Sequence, residues 1–427
     1  MNKHLIKNFD ELAVTPLRKD ALEILEAGYS AISTKRVITS QVKVEGSTFS
    51  VGEKQINLND YEKVFFVGIG KCAANAGKVF EDLLGDRITD GIVIDVKGVS
   101  LKRIQSHIGT HPFPSEENIV AAQSIKRMLE DMTENDLVIT FISGGGSSLL
   151  CLPHDIKCEM LTSITKTLME KGASIREINT VRKHLSEIQG GQFAKLAYPA
   201  TVVSLIFSDV PGNDISVVAS GPTVMDTTTK EDAERILAKY AILAICKLPD
   251  CEVLETPKEE KYFKKVDNIL LLTNEVALSA MKEKAIELGY RALVADSNVE
   301  GEARVAGKLI ATQAKAGTCM LYGGETTVTV KNKGKGGRNQ EFILGALPYL
   351  KEDSVIVAAA SDGWDNTDVA GAMGDKDILE KAHKIGILPE KFLEENKSYE
   401  FFKKVGGHIS TGRTGSNVSD LYFTLTL

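Results

Sequence analysis

The apolar run Asp136–Ile142 (DLVITFI) leads directly into Ser143, Gly144, Gly145, Gly146, Ser147 and Ser148. Three successive glycines can adopt left-handed backbone conformations and let a ligand approach without meeting a Cβ. Their N–H groups would then be donors, and a helix opened by Leu149-Leu150 would add the unpaired N–H groups and positive dipole end of its first turn. The hydroxyls of Ser143, Ser147 and Ser148 could contact phosphate oxygens or a metal. This chemistry is anion binding; the alternative is a tight turn in which glycine serves only close packing.

A second glycine loop, Val67–Ala73 (VGIGKCA), follows a strand-like run with the G-x-G-x-x-A spacing of a dinucleotide fingerprint. The acid such a fold would need could be Asp95, but it lies 27 residues beyond Gly68, against the usual ~20. Lys71 sits inside the loop and would bring an ammonium to the start of a helix over Ala73–Leu84. The loop therefore reads as a phosphate or other anion site, as a structural turn, or as a nicotinamide site.

Farther on, Gly323-Gly324-Glu325-Thr326-Thr327 precedes the basic stretch 331–337 (KNKGKGG), which alone reads as a solvated hairpin tip. Arg338 follows two glycines, precedes Asn339 and opens a helix over Glu341–Leu347, so its planar fork could hold a carboxylate or phosphate in bidentate fashion. Two turn-like segments, 208–214 (SDVPGND) and 361–368 (SDGWDNTD), follow the apolar runs Thr201–Phe207 and Ser354–Ala360. Acids at the C-terminal ends of strands are candidates for a base or a Mg²⁺ ligand, although Asp and Asn also simply make turns. His111, alone before a proline, reads as structural. Cysteine and histidine nowhere reach zinc-ligand spacing.

The elements that must position these residues alternate. Strand runs at Lys63–Ile69, Gly91–Val96, Asp136–Ile142 and Thr201–Phe207 are separated by helical stretches, including Asp20–Ile32, Cys158–Lys171 and Ile119–Met132 with an N-cap at Ser115. That order predicts an α/β fold with a parallel sheet. Two prolines and dense mixed charge between Lys247 and Asp267 mark a boundary, giving expected domains of 1–250 and 265–427. The second domain repeats the alternation from 268 to 323, and β-rich runs at Thr326–Val330 and Leu421–Leu427 predict a mixed or antiparallel sheet there.

The chain has 427 residues, 43% of them hydrophobic and 26% charged, and a formal net charge of −7. Its length predicts two domains. Its acidity argues against a general nucleic-acid binder. No apolar run approaches the ~18 residues of a membrane span, and the six cysteines show no disulfide-scaffold pattern, so buried free thiols and a cytoplasmic location are expected.

The ordered set VGIGKCA (67–73), THPFPSEEN (110–118), ITFISGGGSSLL (139–150), INTVRKHLSEIQGG (178–191), SDVPGNDISVVASGPT (208–223), GGETTVTV (323–330), GKGGRNQE (334–341), SDGWDNTDVAGA (361–372) and TGRTGSNVSDL (411–421) resembles the class II glycerate kinases. These are the glycerate 2-kinases whose C-terminal half is the MOFRL domain. The resemblance implies a Rossmann-like N-terminal domain, a MOFRL-type α/β domain with a mixed sheet, and an interdomain cleft. It implies transfer of phosphate from ATP, with Mg²⁺ on the ATP phosphates, to the 2-hydroxyl of D-glycerate. The family's functional lysine, aspartate and arginine fall on Lys71, Asp209 and Arg338, and its glycine loop on Ser143–Ser148. Asp214, Glu325, Asn339, Asp362, Asp368 and Asn417 are further candidates for substrate, nucleotide or metal contacts. A reductase acting on hydroxypyruvate with NAD(P)H, a kinase of another small hydroxy acid, and a non-catalytic sugar-acid binder are the alternatives. Small molecules are the expected partners, and a homodimer the default assembly.

Overall fold

The computed structural model describes residues 4–246 and 252–427, and the chain forms two compact units. One comprises residues 34–208 and 214–271; the other gathers the N-terminal segment up to residue 33, residues 209–213, and 272–427. The first residues of the expected boundary segment, 247–251, with Cys251 among them, lie outside the described residues.

The first unit opens with a three-stranded antiparallel meander, β1 (Val42–Glu45), β2 (Thr48–Val51) and β3 (Lys54–Asn57). Gly46 and Gly52 turn it with φ of 59° and 56°. Its main sheet contains β4 (Lys63–Ile69), β5 (Ile88–Asp95), β6 (Ile104–Ile108), β7 (Asp136–Ile142), β8 (Thr201–Phe207) and β9 (Val266–Leu272), in the order β6-β5-β4-β7-β8-β9. From β6 to β8 every pairing is parallel. All seven residues of β7 are buried, as expected of a central parallel strand covered on both faces. Ile69 of β4 pairs with Ile142 of β7, and this register sets the two glycine loops side by side at the C-terminal ends of neighbouring central strands.

Helices Ala73–Leu84 and Glu116–Glu130 connect these strands, the latter with the capping box Ser115/Asn118. A satellite core of Leu161, Ile164, Ile178, Val181 and Leu237 joins the helices Cys158–Glu170, Ile175–His184 and Lys230–Lys239.

The second unit is built on β10 (Arg291–Val299), β11 (Thr318–Gly324), β12 (Ser354–Ala360), β13 (Gly371–Gly374), β14 (His408–Ile409) and β15 (Asp420–Thr426). Their order is β10-β11-β15-β12-β13-β14, parallel between β10 and β11 and antiparallel elsewhere, so the mixed sheet is present. The last strand is central, and its register places Asp420 opposite both Gly324 and Ala360. Helix Arg338–Ala346 covers it, with Phe342 stacked on Tyr422 at 4.5 Å.

Helix Pro16–Ala31 lies on helix Asn274–Glu287, where Gly28 leaves room for Met281: a Cβ on Gly28 would stand 2.8 Å from that side chain. Arg18 binds Asp375 through Nε at 2.5 Å and Nη2 at 2.7 Å, and Asn8 donates to the carbonyl of His408 at 2.8 Å. The N-terminal segment thus folds with the second sheet, although the expected first domain ran from residue 1.

Thr326–Val330 is not a strand. Thr327 makes only an isolated bridge to Glu302, and the Thr329 N–H and hydroxyl turn to the Glu302 carboxylate. Consequently 331–337 is not a hairpin tip. Its backbone is held by Asn396, whose Oδ1 accepts from the N–H groups of Lys331 and Asn332. Cys72, Cys151, Cys158 and Cys319 are buried free thiols as expected, whereas Cys246 is half-buried.

Candidate functional site

In the parallel-sheet unit the two glycine loops are stitched together. The Ser143 N–H donates to the Ile69 carbonyl at 2.8 Å, and the Lys71 N–H donates to the Gly144 carbonyl at 3.0 Å. Gly70, at φ 114°, passes so close to Ser143 that an added Cβ would lie 2.3 Å from its Oγ. The Ser143 hydroxyl, fully buried, accepts from the Cys72 N–H and donates to the Ile69 carbonyl, both at 3.3 Å. It therefore joins the loops instead of facing a ligand.

Gly145 is left-handed at φ 82°, and a Cβ there would stand 3.1 Å from both Lys71 Cγ and His111 Cδ2. The Lys71 side chain accordingly lies across Gly145. Gly146 serves packing, since a Cβ would come within 2.4 Å of that of Ala219. Among the described residues, the N–H groups of Gly144, Gly145 and Ser147 have no protein acceptor. Ser148 spends its hydroxyl on the Pro112 carbonyl at 2.6 Å, while Ser147 Oγ accepts from Ser220 at 2.9 Å and keeps its own proton to give. The helix expected to open at Leu149-Leu150 is instead a single turn, Gly146–Leu149, because the chain bends away at Leu150. An anion at this loop would be met by loop N–H groups and Lys71 rather than by a long helix dipole.

Asp95, the candidate ribose acid, is occupied otherwise. Its carboxylate accepts from the N–H of Ala74 at 2.9 Å and of Val96 at 2.6 Å, which caps helix Ala73–Leu84. Burial pushes its pKa up to about 6 against those hydrogen bonds. A carboxylate turned into the N-terminus of the neighbouring helix is not presented to a nucleoside hydroxyl.

In the mixed-sheet unit Arg338 is the first residue of its helix. It bonds Asp420 through Nε at 2.5 Å and Nη2 at 3.2 Å, and its Nη1 meets the Glu325 carboxylate. Burial opposes the guanidinium charge, but the two carboxylates outweigh it and hold the pKa above its ordinary value. Asp420 is fully buried, whereas Glu325 is partly exposed. Asp365 accepts from the N–H groups of Asn339 at 3.0 Å and Gln340 at 2.9 Å, so a carboxylate from a distant loop caps the arginine's helix. Asn339 is therefore buried and bound to Asp365.

Asp209, next to the end of β8 in sequence, belongs to this unit. Its carboxylate accepts from Asn417 Nδ2 at 2.7 Å, and its carbonyl accepts from Ser419 Oγ. Two residues more than 200 positions apart, both candidates, are thus brought together. Asp362 accepts from the Trp364 N–H at 2.9 Å, with Arg413 3.7 Å away. Asp214 makes a local turn, accepting from the N–H and hydroxyl of Ser216. Asp368 is exposed, 3.7 Å from Lys335 and away from the Arg338 cluster's bonding network.

Asp420 was not among the candidates, and Asp365 entered only as one of the acids of the turn 361–368. A signal existed for the first, since an acid opening the apolar run LYFTLTL must be buried and matched to a cation. No local signal could have paired Asp365 with helix 338–346.

Residues 20–250 match a domain of unknown function, DUF4147, and residues 318–420 match the MOFRL family. A Pyrococcus horikoshii protein named glycerate 2-kinase is 38% identical, the match spanning 96% of this chain and 97% of its own. An Agrobacterium vitis relative with a provisional name for hydroxypyruvate reduction is 38% identical over 83% of this chain and 85% of its own. The crystal structure of a Thermotoga maritima glycerate kinase superposes with a TM-score of 0.81 at 33% identity, covering 96% of this chain and 99% of that one. With both domains matched in order and full-length relatives well above 30% identity, the chain belongs to the class II glycerate kinase family, whose C-terminal part is the MOFRL domain.

Proposed function

We propose that this protein transfers the γ-phosphoryl group of ATP to the 2-hydroxyl of D-glycerate, giving 2-phosphoglycerate and ADP. The observation that carries this reading is the glycine loop at 143–148, with three N–H donors open among the described residues and Lys71 lying across Gly145. Phosphoryl transfer demands positioning and neutralisation of charge more than covalent help, and such a loop supplies both.

Lys71 and the loop N–H groups hold phosphate oxygens. Asp209, oriented by Asn417, accepts or orients the proton of the substrate hydroxyl. Arg338 contributes charge stabilisation. Its Asp420 contact is buried and fixes the fork, while the Glu325 contact is partly exposed and is the one an anionic ligand would exchange. Mg²⁺ would ride on the ATP phosphates and neutralise their charge, retaining water as ligands. The one grouping of three histidine or carboxylate donors among the described residues, His154, Asp155 and Glu252, includes none of these site residues.

The engagement of Asp95 as a helix cap weighs against the reductase reading. The test is a panel of small hydroxy acids with ATP and Mg²⁺, read as ADP release beside NAD(P)H absorbance with hydroxypyruvate. ADP release that depends on D-glycerate is expected; nicotinamide turnover without it would overturn the proposal.

A further inference from the structure

Three buried or half-buried arginines of this fold are matched to carboxylates: Arg18 to Asp375, Arg304 to Glu341, Arg338 to Asp420. Arg182, on helix Ile175–His184, differs from them. Its neighbour Lys183 is 3.2 Å from Asp226, yet no hydrogen bond or ion pair reaches the Arg182 guanidinium among the described residues. The one titratable group that favours its charge is the Cys151 thiol, and burial holds its pKa below the ordinary value. Arg182 is half-buried, and a partly desolvated guanidinium with no carboxylate beside it favours an anion that reaches it.

Arg182 lines a narrow crevice with Ser147, Ser148, Gln189, Thr162 and Thr165. The two serines belong to the glycine loop, and Gln189 fixes that loop from below by donating to the carbonyls of Ser147 at 2.9 Å and Leu150 at 2.7 Å. About 10 Å³ is open there, room for roughly one water-sized atom. The crevice thus suits a single ligand oxygen rather than a whole ligand.

We propose that Arg182 is an anion-binding residue of the glycine-loop site, receiving one carboxylate or phosphate oxygen of a ligand held by residues 143–148. This rests on the phosphotransferase reading for the identity of the ligands, D-glycerate or ATP, but not for the anion site itself. Arg182 keeps no protein carboxylate because its counter-charge arrives with the ligand.

The test compares wild type with Arg182→Met and Arg182→Lys. Arg182→Met should raise KM at least tenfold for one cosubstrate: D-glycerate if the carboxylate is bound, ATP if a phosphate is. Arg182→Lys should recover part of that loss. Inorganic phosphate should raise the melting temperature of wild type and not of Arg182→Met, a result that stands even if glycerate is not the substrate. Unchanged KM for both cosubstrates, with the phosphate effect retained, would overturn the proposal. Should Arg182→Met fail to fold, phenylglyoxal labelling of the wild-type protein with peptide mapping decides. Arg182 should be modified and then protected by D-glycerate or ATP; an arginine that is unreactive, or labelled equally with both present, would contradict it.

Discussion

Single residues of the site divide into groups that face a ligand and groups that hold the machinery in place. On the proposed function Lys71 and Asp209 are in the first class. Lys71→Ala should lower kcat/KM about a hundredfold or more, and Asp209→Asn should lower kcat by about 10²–10⁴, both in a steady-state ADP-release assay. Wild-type turnover in either variant would remove that residue from its role. Gly145→Ala probes the loop itself. A left-handed residue with a Cβ pressed against Lys71 and His111 should cost about 1–2 kcal/mol in urea unfolding and displace the ammonium. Activity should fall further than stability does.

At the scale of elements, the helix carrying Arg338 depends on a carboxylate that is not its own. Burial pushes the pKa of Asp365 up to about 6 despite the N–H groups it accepts from. The sign follows from linkage: between the ordinary carboxylate value and about 6 the folded state holds a proton that the unfolded chain has released. Asp365 therefore makes stability fall as pH rises through this window. Asp365→Asn should remove its share of that slope, Asp95 contributing another, from the unfolding free energy measured between pH 4 and 6.5, while lowering stability because an amide nitrogen cannot accept the lost N–H bond. An unchanged slope would show that another group titrates there.

Elements were also where the sequence was most legible. The runs at 63–69, 136–142, 201–207 and 354–360 are strands over those same residues, because each is a nearly unbroken apolar stretch buried on both faces. The meander at 42–57 was missed although Gly46 and Gly52 punctuate its short alternating strands. Thr326–Val330 has β-rich composition, but its backbone and hydroxyls bond to Glu302 and Asn396 instead of a ladder. In the site, Lys71 and the glycine loops were visible because close backbone approach demands glycine at fixed positions. The partners Asp420 and Asp365 were not, since their bonds to Arg338 and its helix span 82 and about 26 positions of sequence.

At the scale of the whole molecule, the N-terminal segment is part of the unit built on the last strand. Local periodicity predicted a helix near residues 20–32 but carried no information about which sheet it would join. The tie is testable through Arg18, buried and paired with Asp375. Arg18→Ala leaves that carboxylate unmatched and should cost about 3–5 kcal/mol in chemical denaturation. A cost under about 1 kcal/mol would mean the segment is held mainly by apolar packing such as that of Gly28 against Met281. Among the described residues no helix is long and apolar enough to cross a membrane.

The position of the phosphate on the product decides whether the proposed reaction takes place. Purified protein, incubated with ATP, Mg²⁺ and D-glycerate, should form 2-phosphoglycerate and ADP in equal amounts by phosphorus NMR. Formation of 3-phosphoglycerate, or oxidation of NAD(P)H by hydroxypyruvate with no phosphorylated product, would contradict the account.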